Sequence, residues 1–210
     1  MGRRGETARE SGYKHDPKGL PLNSHFVRRC TLLLCAALGS ACRAVTPNRT
    51  PIGERFPDVQ ATALDGRVLD LPGELAGAPA VLLVGYVQDA QFDLDRWLVG
   101  LMQLDSPVKR VEVPTIDGLV PGLVAGAIDD GMRAGIPSED WAAVATVYRS
   151  DAARIVAFTG DERPRNGRVL LIDREGVVRW FHDRGFSPSK LAELDRLARE
   201  LASDGTLPGR

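Results

Sequence analysis

Residues Ala80-Val81-Leu82-Leu83-Val84-Gly85-Tyr86-Val87 carry no charge and are apolar almost throughout. A run of this length with no polar period fits a strand covered on both faces, the centre of a sheet flanked by helices. The rest of the chain must then supply the covering helices and the neighbouring strands. Phe92, Trp97, Leu98, Leu101 and Met102 recur at helical spacing, with Asp93, Asp95 and Arg96 turned to solvent.

The remaining elements follow from the same patterns. Val59 to Ala63 alternates as an edge strand would, and the Asp65-Gly66 turn leads into Arg67 to Leu71, giving an N-terminal β-hairpin. Val108 to Val113 reads as a strand closed by Pro114. Residues 119–134 read as partly helical, with Pro121 in the first turn. Ser138 is placed to cap a helix carrying Trp141, Val144, Ala145 and Tyr148, and residues 154–158 read as a strand. Residues 168–173 and 177–181, joined by Arg174-Glu175-Gly176, form an antiparallel hairpin. Ser187-Pro188 then opens a helix with Leu191, Leu194, Leu197, Ala198 and Leu201 on one face. The order predicts an α/β fold, a mixed sheet with helices on both faces and the N-terminal hairpin as an extension.

The three cysteines, Cys30, Cys35 and Cys42, all precede this region, and residues 43–210 contain none. Residues 1–26 are polar and without period, and then Arg28-Arg29 precedes the apolar run Thr31 to Leu38. Positive charge, an apolar stretch of about 13 residues and small residues are the layout of a secretory signal, and roughly 20 apolar residues would be needed for a spanning helix. The end of the run, Leu38-Gly39-Ser40-Ala41-Cys42-Arg43, resembles the box of bacterial lipoproteins, although Leu38 stands one residue further from the cysteine than in that family. The resemblance implies lipid on Cys42 as the mature N-terminus. Ordinary cleavage after Ala41 gives the same terminus with a free thiol. Val27 stands directly before the arginine pair, and a GTG start codon inside a reading frame reads as valine. Translation is therefore expected to start at Val27, with residues 1–26 a mis-annotated or disordered extension, and a peptide from 1–26 in the native protein would overturn this.

Gly53-x-x-Phe56-Pro57 with the Asp65-Gly66 turn, and Leu170-Leu171-Ile172-Asp173-Arg174-Glu175-Gly176, resemble the opening and closing elements of the thioredoxin-like superfamily in its peroxiredoxin or redoxin branch. The resemblance implies a thioredoxin-like domain over 52–202, and the residue patterns divide the rest into a signal peptide over 27–41, a polar tether over 42–51 and a loose tail over 203–210. Active members carry a nucleophilic cysteine after the central strand. Here that stretch reads Gln88-Asp89-Ala90-Gln91-Phe92-Asp93, and thiol exchange or peroxide reduction needs a thiolate. In the peroxidases an arginine precedes the closing strand; a gapless match puts Gly167 there, with Arg165 and Arg168 nearby, and Pro164 lies too early to be the family's proline. The layout is also similar to thioredoxin-like assembly factors of the mitochondrial ATP synthase membrane sector, which lack the redox pair. That similarity implies a chaperone-like role at a membrane.

The candidate cleft is formed by Tyr86, Gln88, Asp89, Asp93, Thr115 and Arg168, expected near the strand ends where α/β sheets bind ligands. Asp89, Asp93 and Asp95 read either as a binding cluster or as acids favoured by a helix N-terminus. His182, with Asp183 beside it, is the only histidine after the signal; it reads as a base with its orienter or as a structural histidine, and one histidine does not make a zinc site. The glycine-rich stretch 118–127 reads as a surface for a membrane or partner helix, or as a segment packed on the sheet. Trp97, Trp141, Trp180 and Tyr148 read as core or pocket walls.

The net charge of −1 implies no nucleic-acid partner. No metal or other cofactor is expected. Two functions remain open. One is a non-redox, lipid-anchored exported protein that binds or helps assemble an envelope or membrane partner. The other is a small-molecule-binding protein or a non-thiol enzyme using the cleft.

Overall fold

The structure, a computed structural model, describes residues 45–118 and 122–204. Cys30, Cys35, Cys42, the signal and Pro121 lie outside these residues. The elements in chain order are β1 (Val59–Ala63), β2 (Val68–Leu71), β3 (Ala80–Gly85), α1 (Gln91–Gln103), β4 (Lys109–Ile116), α2 (Gly122–Gly135), β5 (Ala145–Tyr148), α3 (Arg149–Thr159), β6 (Arg168–Ile172), β7 (Val178–His182) and α4 (Pro188–Ser203). The strands form one mixed sheet in the order β2-β1-β5-β4-β3-β6-β7. β3 is parallel to β4 and antiparallel to β6, with Val84 opposite Val113 and Arg168. The expectation of a central, doubly covered strand thus holds.

The alternation within β3 divides the core into two layers. Leu82 and Val84 pack with Phe56, Ile155 and Phe158 on the face covered by α3. Val81 and Leu83 pack with Trp97, Leu101 and Leu194 on the face covered by α1 and α4. Each large side chain buried in this way contributes about 1.5–3 kcal/mol. Trp97 meets Trp180 edge-on at 5.9 Å and Phe186 at 5.4 Å, which fixes α1 against the closing hairpin and the loop before α4.

Several expectations are corrected. Val59–Ala63 is an interior strand, paired to β2 on one side and β5 on the other. Pro114 does not end its strand: β4 continues to Ile116, and Pro114 stands where pairing passes from Gly85 of β3 to the Thr115–Val147 pair with β5. Residues 138–148 are not one helix. Ser138–Ala143 is a tight 3-10 turn with no side-chain cap, and Ala145–Tyr148 enters the sheet. The open slot between β1 and β4 outweighs the helical spacing of Trp141, Val144 and Tyr148. Residues 154–158 are the end of a helix, not a strand; Ala152, Ile155, Val156 and Thr159 are its buried side at the i, i+3, i+4, i+7 spacing. Phe92 and Met102 do not join the buried face of α1, which is made by Leu94, Trp97, Gly100 and Leu101. Ser187 precedes α4 as expected, but its hydroxyl lies against that of Ser189 instead of capping the backbone.

The closing hairpin depends on Asp173. Its Oδ1 accepts the backbone N–H of Glu175 at 3.0 Å and of Val177 at 2.9 Å, and its Oδ2 accepts Arg179 Nε at 2.5 Å. Burial pushes its carboxyl up, but the Val177 N–H, Arg179 and the Glu175 N–H outweigh this and hold it below the ordinary aspartate value. A depressed carboxylate stabilises the fold above its unfolded pKa, and that stabilisation is lost as pH falls through the folded value. Asp173→Asn is expected to cost about 1–3 kcal/mol in urea unfolding at neutral pH. The difference from wild type should shrink in acid, and a pH-independent difference would overturn the assignment.

Candidate functional site

β3, β4 and β5 stop at one end of the sheet, at Gly85, Ile116 and Tyr148, and β6 begins there at Arg168. Ligands of α/β sheets usually bind at such an end. Arg168 is 0% exposed. Its Nη1 donates to the carbonyls of Arg163 and Asn166, both at 2.7 Å, and its Nη2 donates to Asn48 Oδ1 at 3.1 Å. The guanidinium lies 4.8 Å from the centre of the Tyr86 ring, a cation–π stack. The Tyr86 hydroxyl is 2.6 Å from Thr159 Oγ1 and donates to Ile155 O at 3.1 Å. Burial pulls the Arg168 pKa down, while Tyr86, Asp183 and Asp161 act in the opposite direction.

A strap closes this end. Residues 46–49 were expected within a free tether, and that reading is corrected for them. Thr46 N–H donates to Asp161 Oδ1 at 2.6 Å, and Asp161 N–H returns a bond to Thr46 O at 2.9 Å. Asn48 N–H donates to Glu162 Oε2 at 3.1 Å while Asn48 Oδ1 accepts Glu162 N–H at 2.9 Å, and Asn48 Nδ2 donates to Asp183 Oδ2 at 2.8 Å. Arg49 N–H donates to Thr159 O at 3.2 Å. Gly160, at φ +77°, lets the strap approach: a Cβ there would stand 2.3 Å from Pro47 O and 2.4 Å from Asn48 Cα.

The first turn of α1 closes the same end from the other face. Asp93 was expected to face solvent. Its Oδ2 instead accepts Gly167 N–H at 2.8 Å and its Oδ1 accepts Phe186 N–H at 2.5 Å. The carboxylate therefore ties the loop before β6 to the loop before α4. Gly167 is required by this closeness, since a Cβ there would stand 2.1 Å from Leu94 Cδ2 and 2.8 Å from Leu94 Cγ.

The predicted cleft residues are thus brought together only in part. Tyr86 and Arg168 stack, and Asp93 binds the residue before Arg168. Asp89 is exposed and pairs with Arg165 at 3.2 Å, and Gln88 is exposed at the head of a 3-10 turn. Thr115 is 1% exposed, and its hydroxyl donates to Val113 O at 3.0 Å within its own strand. Asp95 accepts from Gln91, so the three acids serve separate partners. An open depression of about 440 Å³ lies elsewhere, lined by Asp58, Gln60, Asp70, Asp151 and Arg154 among others, and none of the predicted cleft residues borders it. His182 Nε2 is 2.8 Å from Gly185 O, and its ring stacks on Trp180 at 5.9 Å. The Asp183 carboxylate accepts from Asn48, so histidine and aspartate do not form a base with its orienter. The structure adds Asn48, Asp161 and Asp183 to this end. Sequence gave no cue to Asn48, which sits in a proline-flanked polar stretch that reads as a spacer.

No protein-family model and no curated protein matches the chain. Solved structures do. A Bacteroides thetaiotaomicron protein assigned as a protein disulfide isomerase is 16% identical, with 77% of this chain and 96% of that chain covered at a TM-score of 0.51. An Aquifex aeolicus protein assigned to electron transport is 18% identical, with 71% and 99% covered at a TM-score of 0.52. These likenesses and the mixed sheet establish the thioredoxin-like fold.

Asp93→Ala leaves two backbone N–H groups without their acceptor and is expected to cost about 2–4 kcal/mol in urea unfolding. Asp95→Ala, two residues on and exposed, should stay within about 0.5 kcal/mol of wild type. Equal effects would show that Asp93 does not fasten the two loops.

Proposed function

We propose that this chain is a non-redox protein of thioredoxin-like fold, exported and held to a bacterial membrane by lipid on Cys42, where it binds or helps assemble an envelope or membrane partner. The observation that carries the reading is the use of Asp93. In the stretch where the resemblance implies a thiol, a carboxylate is committed to two backbone N–H groups, at 2.8 and 2.5 Å. No cysteine follows residue 42 in the chain, and thiol exchange requires a thiolate nucleophile. The apolar run with Gly39-Ser40-Ala41-Cys42 supports export and lipid attachment. Among the described residues no helix is long and apolar enough to cross a membrane. A small-molecule site would need room at Arg168, and Asn48 occupies its Nη2 side.

The test is intact-mass analysis of the protein from native membranes, combined with site-specific photo-crosslinking. A diacyl or triacyl Cys42 is expected, with a membrane-protein adduct from a probe at Gln88 and none from one at Lys109, at the far end of the sheet. Insulin-reduction assays should show no turnover above that of the Cys42→Ser variant. A free Cys42 with turnover abolished by Cys42→Ser would replace this reading with a redox one.

A further inference from the structure

We infer that the strap end of the domain rests on an anionic lipid surface, with Phe92 as its apolar contact and Arg163, Arg165 and Arg184 as its headgroup contacts. The inference rests on lipid at Cys42 and deepens the proposed function by fixing which face of the domain meets the bilayer. Its starting point is where the chain leaves the domain. Thr46 is bonded in both directions to Asp161, so the body of the fold begins there. Thr46 is the fourth residue after Cys42, and four residue steps at full extension span at most about 14 Å. A domain anchored at Cys42 therefore has its strap end within that reach of the headgroups. The opposite end, where β3 and β4 begin at Ala80 and Lys109, is held away.

The residues at the strap end suit such a surface. Phe92, in the first turn of α1, is 73% exposed, and Val87 just before that turn is 43% exposed. The Asp93 bonds to Gly167 and Phe186 place this turn against the loops that carry the arginines. Arg163 and Arg184 are exposed, and the Arg165 side chain is 80% exposed. Of the acids interleaved with them, Glu162 accepts the Asn48 N–H, Asp183 accepts the Asn48 amide and Asp93 accepts two backbone N–H groups, which hold these carboxylates to the strap and loops without cancelling their charge. Asp89 pairs with one of the arginines, Arg165. Aromatic side chains and arginines together are what the headgroup boundary of an anionic bilayer accommodates. From Cys42 onward the chain carries 20 Lys and Arg against 25 Asp and Glu, so the protein as a whole supplies no such attraction and it must come from these exposed arginines.

The experiment uses the full lipidated protein, reconstituted in vesicles of phosphatidylcholine with or without phosphatidylglycerol. A polarity-sensitive fluorophore is placed at Phe92→Cys, at Arg184→Cys and, as the control, at Lys109→Cys. All three positions are exposed, so the fold should tolerate each. With phosphatidylglycerol present, the probes at 92 and 184 are expected to shift to the blue and to be quenched by brominated lipid severalfold more than the probe at 109. Arg163→Glu with Arg184→Glu should reduce the quenching at 92, each arginine near an anionic surface being worth about a fivefold change in partition. Intact mass reports acylation separately. An acylated protein whose three probes are quenched alike overturns the lipid-facing end and leaves the anchor standing. A protein without acyl chains overturns the anchor and this inference with it.

Discussion

One guanidinium with no exposed surface holds the strap end of this fold together. Arg168 opens β6, and its forked donors reach the carbonyls of Arg163 and Asn166 and the side chain of Asn48. Tyr86, at the end of the central strand, covers its π-face. Removing a cation from water is costly unless its donors are met. Here the donors at Nη1 are met by the adjoining loop, at Arg163 and Asn166, and Nη2 by Asn48, 120 residues away in the chain, while Nε has no partner among the described residues. The geometry is specific to arginine, because a lysine ammonium has neither the fork nor the planar face. The strap, the loop before β6 and the end of β3 are therefore positioned by the same group.

This has a consequence for function. A binding cleft needs polar groups left over after the fold has satisfied itself. At this end of the sheet the polar groups mostly satisfy one another: Tyr86 with Thr159, Asn48 with Glu162 and Asp183, Thr46 with Asp161. What remains for contact with another molecule is the outer surface, where Phe92, Val87 and the arginines stand. On the reading proposed above, contact with a partner or a membrane falls to that outer surface.

The sequence disclosed the fold where the local pattern and the tertiary slot agree. The run from Ala80 is central because nothing in it could face water, and the Asp173 turn was visible from its Asp-x-x-Gly spacing. It misled where they disagree. Ala145 to Tyr148 is short enough to continue a helical pattern, and only the vacancy between β1 and β4 makes it a strand. Ile155 and Val156 look like strand residues, yet Ala152 and Thr159 complete a helical face around them. The site was less legible. Tyr86 and Arg168 stand out from their places near strand ends, and Asp93 from the cluster of acids where the resemblance puts a nucleophile loop. Asn48 was not, because its partners Glu162, Arg168 and Asp183 lie more than a hundred residues away in the chain. Nothing local marks a residue whose role is set by contacts at that separation.

Asp93 joins the two halves of the argument. The N-terminal turn of a helix carries unsatisfied N–H groups and a partial positive charge, which favours an anion. In a thiol enzyme that field lowers the pKa of a cysteine and makes it reactive. In this chain an acid stands in the first turn of α1, but its oxygens are not offered to the solvent or to the helix's own backbone. They accept N–H groups from the loops before β6 and α4. The same electrostatic preference thus serves closure instead of reactivity. Once the carboxylate is committed in this way, opening the cleft would leave two buried-side N–H donors unsatisfied as well as an ordered charge displaced. The fold keeps a thioredoxin-like frame, and the bonds of Asp93 and Arg168 tie together the strap end that the proposed anchor would bring to the membrane.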